Sequence, residues 1–238
     1  MKKPDTFESP WMRWFRGADI DAVLQLYITT NDKKYADRFL EKIWSMLEPP
    51  SMSWRGLDPI FFISRSLQSA LKAVPYMDAD YKGKLKDYVV KYKEAMDELD
   101  KKNPYGLPIS GGGWGGSGSV ASSAITNYFA YKVFPDIMNK EDVLMGLNYI
   151  FGCHPYSNVS FVNAVGVRTK NVAYGNNRAD FTTIAGGIVP GVMLLQPDFL
   201  ENKDDWPFLW GENEVTIGGS ADYIFLANAV NKLLNDKN

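Results

Sequence analysis

A chain of 238 residues is long enough for one large domain or two small ones. Its 45% hydrophobic and 23% charged content is that of a folded protein, and a formal charge of −2 supplies no basic footprint, which argues against a nucleic-acid partner. No run of about 18 apolar residues occurs, so no membrane-spanning helix is expected, and the single cysteine, Cys153, excludes an internal disulfide and leaves the compartment open. Behind the lysines of the opening Met-Lys-Lys-Pro there is no apolar segment, so the chain reads either as cytoplasmic or as a mature fragment whose targeting segment lies elsewhere. Aromatic residues reach 14%, a level that either a carbohydrate site or a large core accounts for.

In chain order, residues 1 to 16 read as an irregular aromatic segment carrying Trp11, Trp14 and Phe15. Asp19 to Thr30 is predicted as a short helix, and Asn31 caps a second that runs to about Leu47. Tyr35, Phe39, Leu40, Ile43, Trp44 and Leu47 recur at three and four, which is one apolar face. The two helices form an αα-hairpin. Pro49-Pro50 breaks the chain, Ile60 to about Val74 is the third helix, and Pro75 ends it. Tyr81 to Lys101 is the fourth, with Leu85, Tyr88, Val89, Tyr92, Ala95, Met96 and Leu99 as its buried stripe and charges opposite. Val120 to Phe134 and Lys140 to Phe151 are the fifth and sixth. Gly152 to Leu195 has no helical period, and long irregular stretches in helical proteins are usually functional. Within it Ser160-Phe161-Val162 and Val189 to Leu195 suit short extended pieces. A terminal helix spans about Ser220 to Leu234. The expected fold is all-α, about seven helices paired as hairpins within a single domain over 1–238.

Four stretches invite chemistry. Glu212 and Glu214 lie among Trp206, Phe208 and Trp210, just before the terminal helix. Apolar neighbours raise a carboxyl pKa and suit an acid catalyst, whereas carboxylates also simply favour the positive end of a helix. To act as an acid Glu214 must be largely buried and face a groove, with Glu212 pointing elsewhere. The glycine-rich loop from Pro104 to Ser119 lets backbone approach a ligand and leaves Trp114 open to stack on a sugar; a flexible linker has the same composition. It is no phosphate loop, because no Gly-Lys-Ser/Thr follows. Asn176-Asn177-Arg178 suits sugar hydroxyls or a carboxylate, or else a surface turn. Cys153 and His154 fall short of a zinc set and are read as structural, so no metal and no cofactor is expected.

Read in order, the chain from about residue 17 to 234 resembles the C-terminal half of the family 9 glycoside hydrolase catalytic domain. Asn213-Glu214-Val215-Thr216-Ile217 is similar to its closing Asn-Glu-Val-Ala-Ile motif. Pro104-Tyr105-Gly106 and Trp114-Gly115-Gly116-Ser117 resemble its Pro-Tyr-Gly and Trp-Gly-Ser segments. Leu147 to Gly152 with Pro155, then Ser160-Phe161-Val162, resemble its Leu-Gly-Xaa-Asn-Pro and Ser-Tyr-Val segment, and Gly187 to Pro197 its Pro-Gly-Leu-Leu-Val-Gly-Gly-Pro segment. Asn176-Asn177-Arg178 falls where the family has His-His-Arg. The resemblance implies hairpins of an (α/α)6 toroid, here an incomplete ring. It also implies inverting hydrolysis of O-glycosidic bonds in a β-glucan or related polysaccharide, with Glu214 as general acid and Trp114, Asn176, Asn177 and Arg178 on the substrate. The family's Asp-Ala-Gly-Asp motif, which carries the aspartate base, has no counterpart in this sequence, and Asp78-Ala79-Asp80-Tyr81 fits a helix cap better. That leaves a non-catalytic carbohydrate-binding or scaffold domain as the alternative. An incomplete ring is expected to self-associate or to take a partner chain that supplies the missing half. The resemblance implies a secreted or periplasmic location if a signal lies upstream.

Overall fold

The structure, a computed structural model, describes residues 10–51, 57–109, 115–154, 157–173, 183–191 and 210–235, with 10–18 and 210 described by backbone alone. Helix α1 spans Pro10–Thr30 and α2 spans Lys33–Met46. The turn between them divides its work differently from expectation. Asn31 adopts φ 54 and donates its amide to Tyr27 O at 2.8 Å, closing α1, a conformation asparagine tolerates better than most residues. Asp32, not Asn31, caps α2, its carboxylate accepting from Lys34 N at 3.0 Å. Ala36, Phe39, Ile43, Met46 and Leu47 are buried, while Tyr35, Leu40 and Trp44 pack at the edge of the same face.

The predicted third helix is three pieces. A 3₁₀ turn over Pro59–Ile63 opens on Asp58, whose side chain accepts from Ile60 N at 3.0 Å. Helix α3 follows over Ser64–Ala73, then a second 3₁₀ turn over Val74–Tyr76. Pro75 lacks an amide to donate and ends the α-helical ladder. Helix α4 covers Ala79–Asp97 with Asp78 as its cap, which accepts from Tyr81 N at 2.8 Å, so 78–81 is the start of a helix as read. Its buried stripe is Tyr81, Leu85, Val89, Tyr92 and Met96, with Leu99 beyond it in a 3₁₀ turn. Helix α5 spans Ser117–Val133, starting three residues before the apolar pattern does. Helix α6, Lys140–Ile150, opens on a capping box between Asn139 and Asp142. Two-residue strands β1 (Val159–Ser160) and β2 (Arg168–Thr169) pair in parallel. A helical turn, α7, covers Trp210–Asn213, and α8 runs over Ile217–Asn235.

Helices α1, α3, α5 and α8 form a row in which each packs on the next; α2 flanks α1, and α6 flanks α5 and α8. This is an arc of helix hairpins, the incomplete all-α toroid that the sequence suggested. Two apolar clusters fill it. One joins α1 to α4 with the C-terminal end of α5; the other joins the start of α5 to α6, α8 and the irregular segments between. Along α5 the side chains facing α3 and α4 are small and polar. Gln68 donates to Ser122 O at 2.9 Å and to Thr126 Oγ1 at 3.1 Å. The Tyr92 hydroxyl lies 2.6 Å from Ser123 Oγ and 3.2 Å from Ser64 Oγ. Burial pushes the Tyr92 phenol above the usual tyrosine range, against the opposing pull of those hydroxyls.

Candidate active site

The cavity is built where four distant segments exchange backbone hydrogen bonds. Gly115 N donates to Gly211 O at 2.6 Å, and Ser117 N to Pro190 O at 2.8 Å. Gly191 N reaches Glu212 O at 3.3 Å, Ala173 N reaches Asn213 O at 2.8 Å, and Val215 N reaches Ala173 O at 3.1 Å. Glycine is required at two of these crossings. A Cβ on Gly115 would lie 2.5 Å from the carbonyl oxygens of Pro190 and Gly191, and Gly191 adopts φ +83. Backbone approaches closely here, as the glycine-rich loop suggested, and the approach that the described residues record is to the chain itself.

The two glutamates separate. Trp210–Asn213 is helical and Glu214 is bridged to Ala173, so the side chains at 212 and 214 diverge. Glu212 is directed at Lys170, whose ammonium lies 3.4 Å from Glu212 Oε2 and whose side chain is only 1% exposed. Asn213, fully buried, donates from its side-chain amide to Asn171 O at 2.7 Å. Glu214 lines a cavity of about 270 Å³ whose wall includes Ser117, Ser119, Ile188, Pro190, Thr216 and Gly219. It is half-buried, less enclosed than the acid role led us to expect. The first turns of α5 and α8 both border this space. Helix α8 starts at Ile217, three residues early, with Thr216 Oγ1 accepting from Gly219 N at 3.2 Å.

Trp114, Asn176, Asn177 and Arg178 lie outside the described residues, as do Trp206 and Phe208 and the side chain of Trp210. His154 is buried, with Nε2 2.9 Å from Tyr149 O and Nδ1 3.1 Å from Ser157 Oγ, and packed against Tyr105, Tyr149 and Phe161. Cys153 beside it is exposed. Among the described residues no three metal-ligating side chains converge. Three contributors were missed in the sequence: Ser117, Lys170 and Thr216. For Ser117 and Thr216 the available signal was a small hydroxyl residue just before an apolar helix. For Lys170, 42 residues from its partner, there was none.

No family model matches the chain, and no curated protein matches it. Solved structures do. The family 9 endoglucanase J30 superposes with a TM-score of 0.65 at 19% identity, over 90% of this chain and 42% of its own. A family 9 glycoside hydrolase of Bacteroides ovatus gives 0.63 at 17%, over 91% and 40%. The cellulase Cel9M of C. cellulolyticum in complex with cellobiose gives 0.60 at 18%, over 98% and 54%. The chain thus spans between 40% and 54% of the length of these structures. It has the glycosidase-like fold of the family 9 catalytic domains over roughly half of that domain.

Proposed function

We propose that this chain is the C-terminal part of a glycoside hydrolase acting on O-glycosidic bonds of a β-glucan or related polysaccharide by inverting acid/base hydrolysis, with Glu214 as the general acid. The observation that carries the reading is the division of labour between the two glutamates. Glu212 is taken up by buried Lys170, and Glu214 is the carboxyl that lines the cavity. A general acid must reach the leaving oxygen, and position in the cavity meets that demand where an ion-paired carboxylate does not. The aspartate base, which activates water on the far side of the sugar, comes from outside these residues. Trp114, Asn176, Asn177 and Arg178 are proposed to hold the sugar. The alternative, a non-catalytic carbohydrate-binding or scaffold domain, is favoured by one observation, the lack of an Asp-Ala-Gly-Asp motif in the sequence.

The chain is read as one domain, since both apolar clusters include α5. The helices that complete the ring are proposed to dock on the outer face of α8. Ile217 is 92% exposed there and Ile224, two turns on, 59%. With those helices supplied, Glu214→Gln should abolish hydrolysis of substrates with poor leaving groups and largely spare activated aryl glycosides, which need no proton on departure. Equal loss on both kinds, or none on either, would remove Glu214 from the acid role.

A further inference from the structure

A lysine whose side chain is 1% exposed stands behind the segment that carries Glu214. Burying an ammonium is costly, and replacing a buried ion pair by apolar residues is often neutral, so Lys170 calls for a use beyond stability. Its backbone is fixed at both polar groups. Lys170 N donates to Ser160 O at 2.9 Å, at the end of β1, and Lys170 O accepts from Asn163 Nδ2 at 3.1 Å. From this anchor residues 170–173 run alongside 212–215, bridged in parallel at Ala173 and Glu214. Lys170 meets Glu212, Asn171 O accepts from the Asn213 amide, and Ala173 bonds the backbone of Asn213 and Val215 on either side of Glu214. Backbone bonds do not distinguish one side chain from another; the ammonium does, by recognising a carboxylate. The sequence Glu212-Asn213-Glu214 offers it two, on Cα atoms no more than about 7 Å apart.

We propose that Lys170 is a positioning residue for Glu214. By holding Glu212 it sets which glutamate of the pair turns inward and which is left to the cavity. It acts through Glu212 and not on the sugar, and fixing register is the best-attested use of a buried ion pair. Its part in catalysis rests on the acid reading of Glu214 above; the selection between the two glutamates does not. A pair that only holds the segment leaves Glu212 and Glu214, whose side chains diverge, to contribute independently. A selecting ammonium couples them. Removing the Glu212 charge strengthens its attraction for the next carboxylate on the same segment, Glu214, and draws that carboxylate out of the cavity.

The test is a double-mutant cycle in the intact chain with Glu212→Gln and Glu214→Gln, followed by thermal unfolding and by calorimetric titration with cellotetraose. Glu214→Gln should move Tm by less than about 1 °C in the unaltered chain and lower it by about 3–6 °C in the Glu212→Gln background, where Glu214 has taken over the ammonium. With Lys170→Met in both backgrounds that difference should vanish. Glu212→Gln should weaken cellotetraose binding about tenfold, and adding Lys170→Met should restore it. Additive Tm shifts would make the pair structural and overturn the proposal, as would coupling that persists without Lys170. Unchanged cellotetraose affinity in Glu212→Gln would also overturn it and leave the saccharide reading standing. Lysine-dependent coupling in a chain that binds no cellotetraose would uphold the selection and overturn the saccharide reading instead.

Discussion

Helices α2 and α4 and the wall around Glu214 are held in place by different means. Each helix buries a residue every three or four positions, Phe39 to Ile43 to Met46 and Leu85 to Val89 to Tyr92, so its place follows from area removed from water. The wall has no such period. It depends on single backbone bonds between Gly115 and Gly211, Ser117 and Pro190, Gly191 and Glu212, and on the buried Lys170–Glu212 pair. Burial in the arc tolerates changes that conserve volume; the wall depends on register. The scaffold can therefore vary while the cavity is kept, and a small change in the wall can remove the cavity while leaving the helices folded.

The largest expected effect lies in the arc. Phe39→Ala should cost about 3–5 kcal/mol of unfolding free energy by denaturant titration, and the folded fraction should bind the proposed saccharide as the unaltered chain does. Loss of affinity in step with stability would erase the distinction. Next is the wall. Lys170→Met takes the ammonium away from a mostly buried carboxylate and should cost about 3 kcal/mol. Adding Glu212→Leu should recover most of it, because an apolar pair of similar volume replaces a buried ion pair at little net cost. No recovery would mean that the pair does more than hold the segment.

A third test concerns the outer face of α8. Sedimentation at high concentration should show self-association, which Ile224→Asp abolishes while changing stability by less than about 0.5 kcal/mol. A strictly monomeric chain would count against the docking face. The smallest effect is electrostatic and belongs to the arc. The Lys42 ammonium holds the Asp19 carboxyl below its usual range against the opposing effect of burial, with Arg38 adding to the lowering. A depressed folded pKa contributes stability that is present above the unfolded pKa and is lost as pH falls through the folded value. Asp19→Asn should therefore flatten the acid limb of stability below about pH 4. Because the pair is more than a third exposed, the effect stays under about 1 kcal/mol and fades with salt.

The same contrast explains what was legible in the sequence. Phe39, Ile43, Leu85 and Val89 announce their helices because burial repeats with the helical period. The start of α5 was missed because Ser117, Gly118 and Ser119 are poor helix formers with no apolar stripe, and they fold as helix through contacts made elsewhere. The division of residues 59–76 into 3₁₀ and α pieces was missed because both geometries place apolar residues three or four apart. The early start of α1 left one signal, Pro10 at its first position. In the cavity, Glu214 was found through resemblance, not through spacing. Nothing local distinguishes Glu212 from Glu214, since Lys170 decides between them from 42 residues away.

The most direct test of the account is hydrogen exchange of the intact chain with and without a saturating β-glucan oligosaccharide. Bound sugar should slow exchange at the amides of 115–119 and 214–219, the first turns of α5 and α8 that border Glu214, and leave α2 and α4 unchanged. Protection confined to other segments, or none at all under conditions where binding is measured, would contradict the placement of the site.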